Sequence, residues 1–159
     1  MEKKKVFLAL GSNLGDRKAA FCNALEGLKK GGLQEISLSS LHETEPVGCE
    51  EGAKNFLNAV LSGFWEGTPQ ELLQLCQTLE EAAGRAKDHP HWHSRELDID
   101  IILFGETILN TPILTIPHPL AHTRSFVLQP LAELAPEIRF PTLGKTALQL
   151  WEEWKQINR

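Results

Sequence analysis

The chain has no run of apolar residues close to the ~18 to 20 that a membrane span needs. Its longest candidates, Val6 to Leu10 and Ile99 to Phe104, are strand-sized, and no membrane partner is expected. The charged start Met1-Glu2-Lys3-Lys4-Lys5 is followed by a single strand-length apolar stretch before Gly11-Ser12-Asn13, too short for a signal peptide. Cysteine is scarce. Cys22, Cys49 and Cys76 are odd in number and widely spaced, which suits neither a disulfide framework nor a zinc clip and points to a reducing cytoplasm. Tyrosine is absent altogether. Basic excess is missing too, since 16 Lys and Arg face 21 Asp and Glu for a net charge of −5. Such a chain has no overall field to attract nucleic acid or an anionic membrane, so any polyanion must be met locally. Gly11-Ser12-Asn13-Leu14-Gly15-Asp16 lacks the Gly-Lys-Ser/Thr ending of a P-loop and the three-glycine spacing of a Rossmann turn. Neither G-x-S-x-G nor H-E-x-x-H occurs. No repeat, low-complexity tract or linker is found, and residues 1–159 are expected to form one domain.

What is present suffices for a core: 42% of residues are hydrophobic and 23% charged, close to the globular average. Val6 to Leu10 reads as a buried strand that ends in a glycine turn. Asp16 can then cap a helix with Phe21, Leu25 and Leu28 on one face, stopped by Gly31-Gly32. Alternation predicts a strand over 36–41 with one buried face, and another over 56–64. Thr68-Pro69-Gln70-Glu71 is a capping-box signature. The helix it opens turns Leu72, Leu75, Cys76, Leu79 and Ala83 inward, and a strand follows over 97–104. The order β-α-β-β-α-β predicts an α+β fold with a ferredoxin-like antiparallel sheet and both helices on one face. A Pro-rich C-terminal third adds short elements and a last helix on which Trp151 and Trp154 read as core cover.

The sharpest chemical signal is Asp98-Ile99-Asp100. Residues two apart on a strand share a face, and Leu97, Ile99, Ile101 and Leu103 are expected to take the other. The two aspartate backbones stand ~6.6 Å apart, where two charges repel by roughly 2.5 kcal/mol at an effective dielectric of about 20. A cation belongs near them, and hard carboxylate oxygens suit Mg²⁺ with substrate phosphates. The plain alternative is a pair of surface aspartates. Just upstream, Arg85, Lys87, His89, His91, His93 and Arg95 surround the single carboxylate Asp88. Arginine grips phosphate oxygens, yet a charged loop can also be merely solvated. The spacing of the three histidines invites a transition metal, which the neighbouring Arg and Lys oppose. Phe56 and Asn58 share a strand face, so Asn58 either reads the polar rim of a flat heterocycle or pairs with backbone. His118 suits a phosphate or ribose contact and a structural role equally.

Six ordered blocks resemble one family. They are 6–16 (Val-Phe-Leu-Ala-Leu-Gly-Ser-Asn-Leu-Gly-Asp), Glu43-Thr44-Glu45-Pro46-Val47-Gly48, Phe56-Leu57-Asn58-Ala59-Val60, Gly84-Arg85, Trp92-His93-Ser94-Arg95-Glu96-Leu97-Asp98-Ile99-Asp100-Ile101, and Pro117-His118-Pro119 through Arg124-Ser125-Phe126 to Leu131. Together they resemble the 6-hydroxymethyl-7,8-dihydropterin pyrophosphokinases of folate biosynthesis. The resemblance implies a ferredoxin-like fold and transfer of pyrophosphate from MgATP to the pterin's hydroxymethyl group, releasing AMP. It implies a monomer using small-molecule substrates only. Asp98 and Asp100 would hold two Mg²⁺ ions and, with Arg85 and Arg95, form the catalytic set. Thr44, Val47, Phe56, Asn58, Trp92 and Phe126 would bind the pterin. Gln77, Glu80, Arg85, Lys87, Trp92, Arg95, Ile101, Thr115, His118 and Arg124 would serve ATP. The chain departs from the family's usual residues at Phe56, where Tyr is common, at Lys87, where Arg is common, and at His93-Ser94, where Gly-Pro is frequent. The rival readings are another Asp-x-Asp, Mg²⁺-dependent nucleotide-using transferase and a non-catalytic ferredoxin-like binding module.

Overall fold

The computed structural model describes residues 2–45, 51–84 and 96–158. Val6, Leu8 and Leu10 point to one side of the central strand β1 (Lys4–Ser12), and Phe7 points to the other. Chain order continues with α1 (Arg17–Lys30), β2 (Gln34–Leu38), β3 (His42–Thr44), β4 (Phe56–Trp65), α2 (Pro69–Ala82) and β5 (Asp98–Phe104). The main sheet is antiparallel throughout and ordered β2-β4-β1-β5, with short β3 also pairing β4. This is the expected β-α-β-β-α-β arrangement with β3 inserted. Two small hairpins follow, β6 (Leu109–Asn110) with β7 (Thr115–Ile116) and β8 (Arg139–Phe140) with β9 (Lys145–Thr146). Helices α3 (Ser125–Leu134) and α4 (Ala147–Ile157) complete the chain.

Each face of the sheet carries its own core. Phe21, Ala24 and Leu28 of α1 and Leu72 and Cys76 of α2 pack with Val6, Leu8, Leu10, Leu57, Ala59, Leu61, Ile99 and Ile101. Val127, Leu128 and Leu131 of α3 and Leu150 of α4 pack on Phe7, Val60, Ile102 and Leu103. Both sequence caps form. Ala19 N–H donates to Asp16 Oδ1 at 3.0 Å, and Thr68 and Glu71 exchange both capping-box hydrogen bonds. A second capping box, Thr146 with Gln149, starts α4.

Three details differ from the expectations. The strand expected over 36–41 ends at Leu38, because Ser39 bonds Val60 through both its N–H and its hydroxyl oxygen. As an edge strand it buries no residue fully. Second, Leu103 lies on the α3/α4 face, not with Ile99 and Ile101. Leu8 pairs Ile101 and Phe7 pairs Leu103, so Ile102 is an extra residue in the ladder. That bulge reverses the alternation beyond it. Third, α3 forms with Pro130 inside it, where the Pro-rich sequence gives no helical signal.

Candidate functional site

The bulge at Ile102 leaves Asp98 and Asp100 untouched by the reversal, and both line one cavity on the α3/α4 side of the sheet. Its volume is about 740 Å³, ample for a flat bicyclic ring with part of a second ligand. The floor is a cross-strand row. Asp98 pairs Gly11, Gly11 pairs Asn58, and Asn58 pairs His42, from β5 through β1 and β4 to β3. One step along, Asp100 pairs Ala9, which pairs Val60. Gly11 and Ala9 therefore leave a low floor between the carboxylates and the Asn58 amide. A Cβ on Gly11 would stand 3.6 Å from Asn58 Oδ1 and 3.7 Å from the Phe56 ring.

The walls come from other elements. Thr44 and Phe56 face each other across the β3–β4 pair, and Phe126 stands on the first turn of α3. The Arg124 guanidinium lies over the Phe126 ring, 5.6 Å from its centroid, so a cation and an aromatic face share one edge. Buried Asn58 donates from Nδ2 to Thr44 Oγ1 at 2.7 Å. Trp154 also lines the cavity. It donates from Nε1 to Thr123 O at 3.1 Å and stacks on Trp151 with ring centroids 5.6 Å apart.

Of the residues assigned to the adenosine side, Ile101 stands on edge strand β5, Gln77 and Glu80 on α2 and Thr115 on β7, and α2 and β7 both pack against β5. Glu80 is buried, and its carboxylate accepts from Ile99 N–H at 2.9 Å. His118 N–H donates to Ile102 O at 3.0 Å, and His118 Nδ1 accepts from Leu120 N–H at 3.2 Å. Ile101 turns its side chain into the α1/α2 core, so only its backbone faces the edge. Thr115 is half-buried on β7, and Gln77 is exposed on α2. Burial and the Arg124 charge push the His118 pKa down, against the weaker pull of Asp98, which leaves the imidazole neutral near pH 7. Burial likewise pushes the Cys76 thiol up to about 12, with Glu80 and Asp100 adding to it. Cys76 is core and unreactive.

Val47, Arg85, Lys87, Trp92 and Arg95 lie outside the described residues, as do His89, His91 and His93. The structure thus brings Thr44, Phe56, Asn58, Asp98, Asp100, Arg124 and Phe126 around one cavity. Sequence reasoning missed Gly11, Thr123, Ser125 and Trp154, which line it as well. Gly11 was legible only as turn chemistry, and Trp154 only as cover.

Fold and cavity define a ferredoxin-like α+β domain with one broad, acid-floored, aromatic-walled pocket on the sheet face opposite α1 and α2. The chain belongs to the 7,8-dihydro-6-hydroxymethylpterin-pyrophosphokinase (HPPK) family, whose family model matches residues 7–136. It is 38% identical over 140 residues to the 2-amino-4-hydroxy-6-hydroxymethyldihydropteridine pyrophosphokinase of Aquifex aeolicus, covering 88% of this chain and 86% of that one. The enzyme of the same name from Bacillus subtilis is 37% identical over 152 residues, covering 94% and 90%. A solved HPPK-DHPS in complex with substrates superposes with a TM-score of 0.77 at 13% identity, covering 99% of this chain. Plasmodium falciparum HPPK-DHPS A437G follows at 0.74 and 16%. The chain spans 44% and 47% of those two solved chains, and at such identity they speak for the fold alone.

Proposed function

We propose that this chain transfers pyrophosphate from MgATP to the hydroxymethyl group of 6-hydroxymethyl-7,8-dihydropterin, releasing AMP, as a step of folate biosynthesis. The observation that carries the reading is the row Asp98–Gly11–Asn58, which puts a carboxylate and a heterocycle-reading amide on one floor, two strands apart. The pterin ring stacks between Phe56 and Phe126, and Asn58 with Thr44 and Val47 takes its polar edge. The donor set suits Mg²⁺. Asp98 and Asp100 offer hard oxygens from one face of one strand, and this ion needs only one or two protein carboxylates when phosphates complete its shell. Two Mg²⁺ ions held by these residues would supply charge neutralisation on the phosphate oxygens. Arg124, beside the ring, and Arg85, Lys87, Trp92 and Arg95 grip and cover the triphosphate. Gln77, Glu80, Ile101, Thr115 and His118 line the adenosine side. Water must be kept from the β-phosphorus, so the protein's task is positioning and exclusion.

The reading takes residues 1–159 as one domain working as a monomer in the cytoplasm, a setting that suits the free thiols of Cys22 and Cys76. Among the described residues no helix is long and apolar enough to cross a membrane. Incubation with MgATP and the pterin is expected to yield AMP, and ADP as the nucleotide product would sink the proposal. Asp98→Asn or Asp100→Asn should lower kcat at least about a hundredfold, the scale of losing one electrostatic contact to a transition state. Thermal stability should hold, because both side chains face the cavity and not the core. Near-normal turnover in either variant refutes the metal role.

A further inference from the structure

The polar edge of the cavity depends on which way the Asn58 amide faces, since its oxygen only accepts and its nitrogen only donates. Strand β3 settles the orientation. The His42 carbonyl, which can only accept, lies 3.4 Å from Asn58 Nδ2, and Thr44 Oγ1 accepts from the same nitrogen at 2.7 Å. Asn58 Oδ1 is thereby turned toward Gly11, and a ligand on the floor meets an acceptor.

Three residues paired to one neighbour make a strand too short to hold its own position. The anchor comes from α3. Glu133 accepts from Ser40 N–H at 2.8 Å and from the Ser40 hydroxyl at 2.7 Å, and its Oε1 lies 3.2 Å from His42 Nε2. These hydrogen bonds from Ser40 keep the Glu133 carboxyl below its ordinary pKa. Glu133 follows Phe126 at the i+7 position and so shares its face of α3, which ties the aromatic wall to the polar edge through one helix. From the other side of β3, Arg17 donates to Glu43 Oε1 at 2.8 Å. The Ser40, His42 and Glu133 cluster is not a nucleophilic triad, because hydroxyl and carboxylate both lie on the same ring nitrogen. A proton relay needs one on each nitrogen.

Resting on the pterin reading above, we infer that Glu133 is a positioning residue for substrate selection. Through Ser40 and His42 it fixes β3 so that Asn58 presents its oxygen, which selects a heterocycle with an exocyclic amino donor at that point of its edge. A 2-amino-4-oxo ring is accepted, and the analogue with oxygen in place of the 2-amino group is rejected.

The test compares wild type with Glu133→Ala, and with the milder Ser40→Ala in case the first does not fold. Glu133→Ala should raise the KM for the hydroxymethyl-dihydropterin about tenfold, as for one lost and misdirected hydrogen bond. Its kcat and its KM for ATP should stay within about twofold, and its preference for the 2-amino over the 2-oxo ring should shrink by a similar factor. Glu133→Gln, which keeps one acceptor oxygen, should recover part of the loss. A pterin KM unchanged in folded variants, or a rise shared equally by ATP, overturns the inference. In the ligand-free protein, the Asn58 side-chain amide protons should exchange slowly in wild type and rapidly in Glu133→Ala. That readout needs no substrate. It therefore separates a failed anchor from a failed pterin assignment, which wild-type protein without AMP formation would reveal.

Discussion

His118 stands where three influences meet. Burial and the positive charge of Arg124 both disfavour its protonated form, while Asp98 favours it. The net shift is downward, so the folded protein binds this proton less readily than the unfolded chain does. By linkage, stability rises with pH wherever the unfolded state holds more protons. The penalty therefore sets in as pH falls below 6.5 and is complete only below the depressed folded value. His118→Asn should flatten the acid side of the stability curve in that window. Chemical denaturation of the apo protein at a series of pH values checks it, and an unchanged slope would remove His118 from the account. The residue scale also shows why a single side chain is ambiguous in sequence. His118 could be read as a contact or as a structural group, and its Nδ1 bond to Leu120 with its place on the edge of β5 serves both ends.

Elements here were legible where local chemistry decides them. Asp16, Thr68 and Glu71 are caps that act within three residues of themselves, and the sequence carries their whole mechanism. Thr68→Ala removes the side-chain half of the capping box, the hydroxyl that accepts from Glu71 N–H, while the backbone N–H that donates to Glu71 and the carbonyl that accepts from Trp65 Nε1 remain. It should cost about 1 kcal/mol, read as a lowered denaturation midpoint with unchanged slope, and catalysis should not respond. Elements were illegible where a distant partner decides. The end of β2 is set by Ser39 bonding Val60, and the reversal at Leu103 by the pairing of β5 with β1. Helix α3 survives its own Pro130 because Val127, Leu128 and Leu131 are buried against the sheet.

At the scale of the molecule, a net charge of −5 counts Asp98 and Asp100 as ordinary negative groups, although they face a cavity that also holds Arg124. If MgATP binds there, folding and binding are linked. At a hundredfold excess over Kd the gain is about 2.7 kcal/mol, or a rise in Tm of roughly 5 to 11 °C for a chain of this size. ATP with a chelator should give much less, and Asp98→Asn should remove most of the shift. Differential scanning calorimetry decides it, and an equal rise without Mg²⁺ would argue against the carboxylates as metal ligands.

The β-α-β-β-α-β order of the main elements, the shared face of Asp98 and Asp100 and that of Phe56 and Asn58 follow from periods of 2 and 3.6 along the chain, together with caps that act locally. Sequence alone determined these. The row that joins Asp98, Gly11 and Asn58, the low floor made by Gly11 and Ala9, the wall lent by Trp154 and the reach of Glu133 to Ser40 depend on register between strands and on contacts as much as 93 residues apart. No local pattern encodes such distances, because register and helix docking are settled only when the two cores close on opposite faces of the sheet.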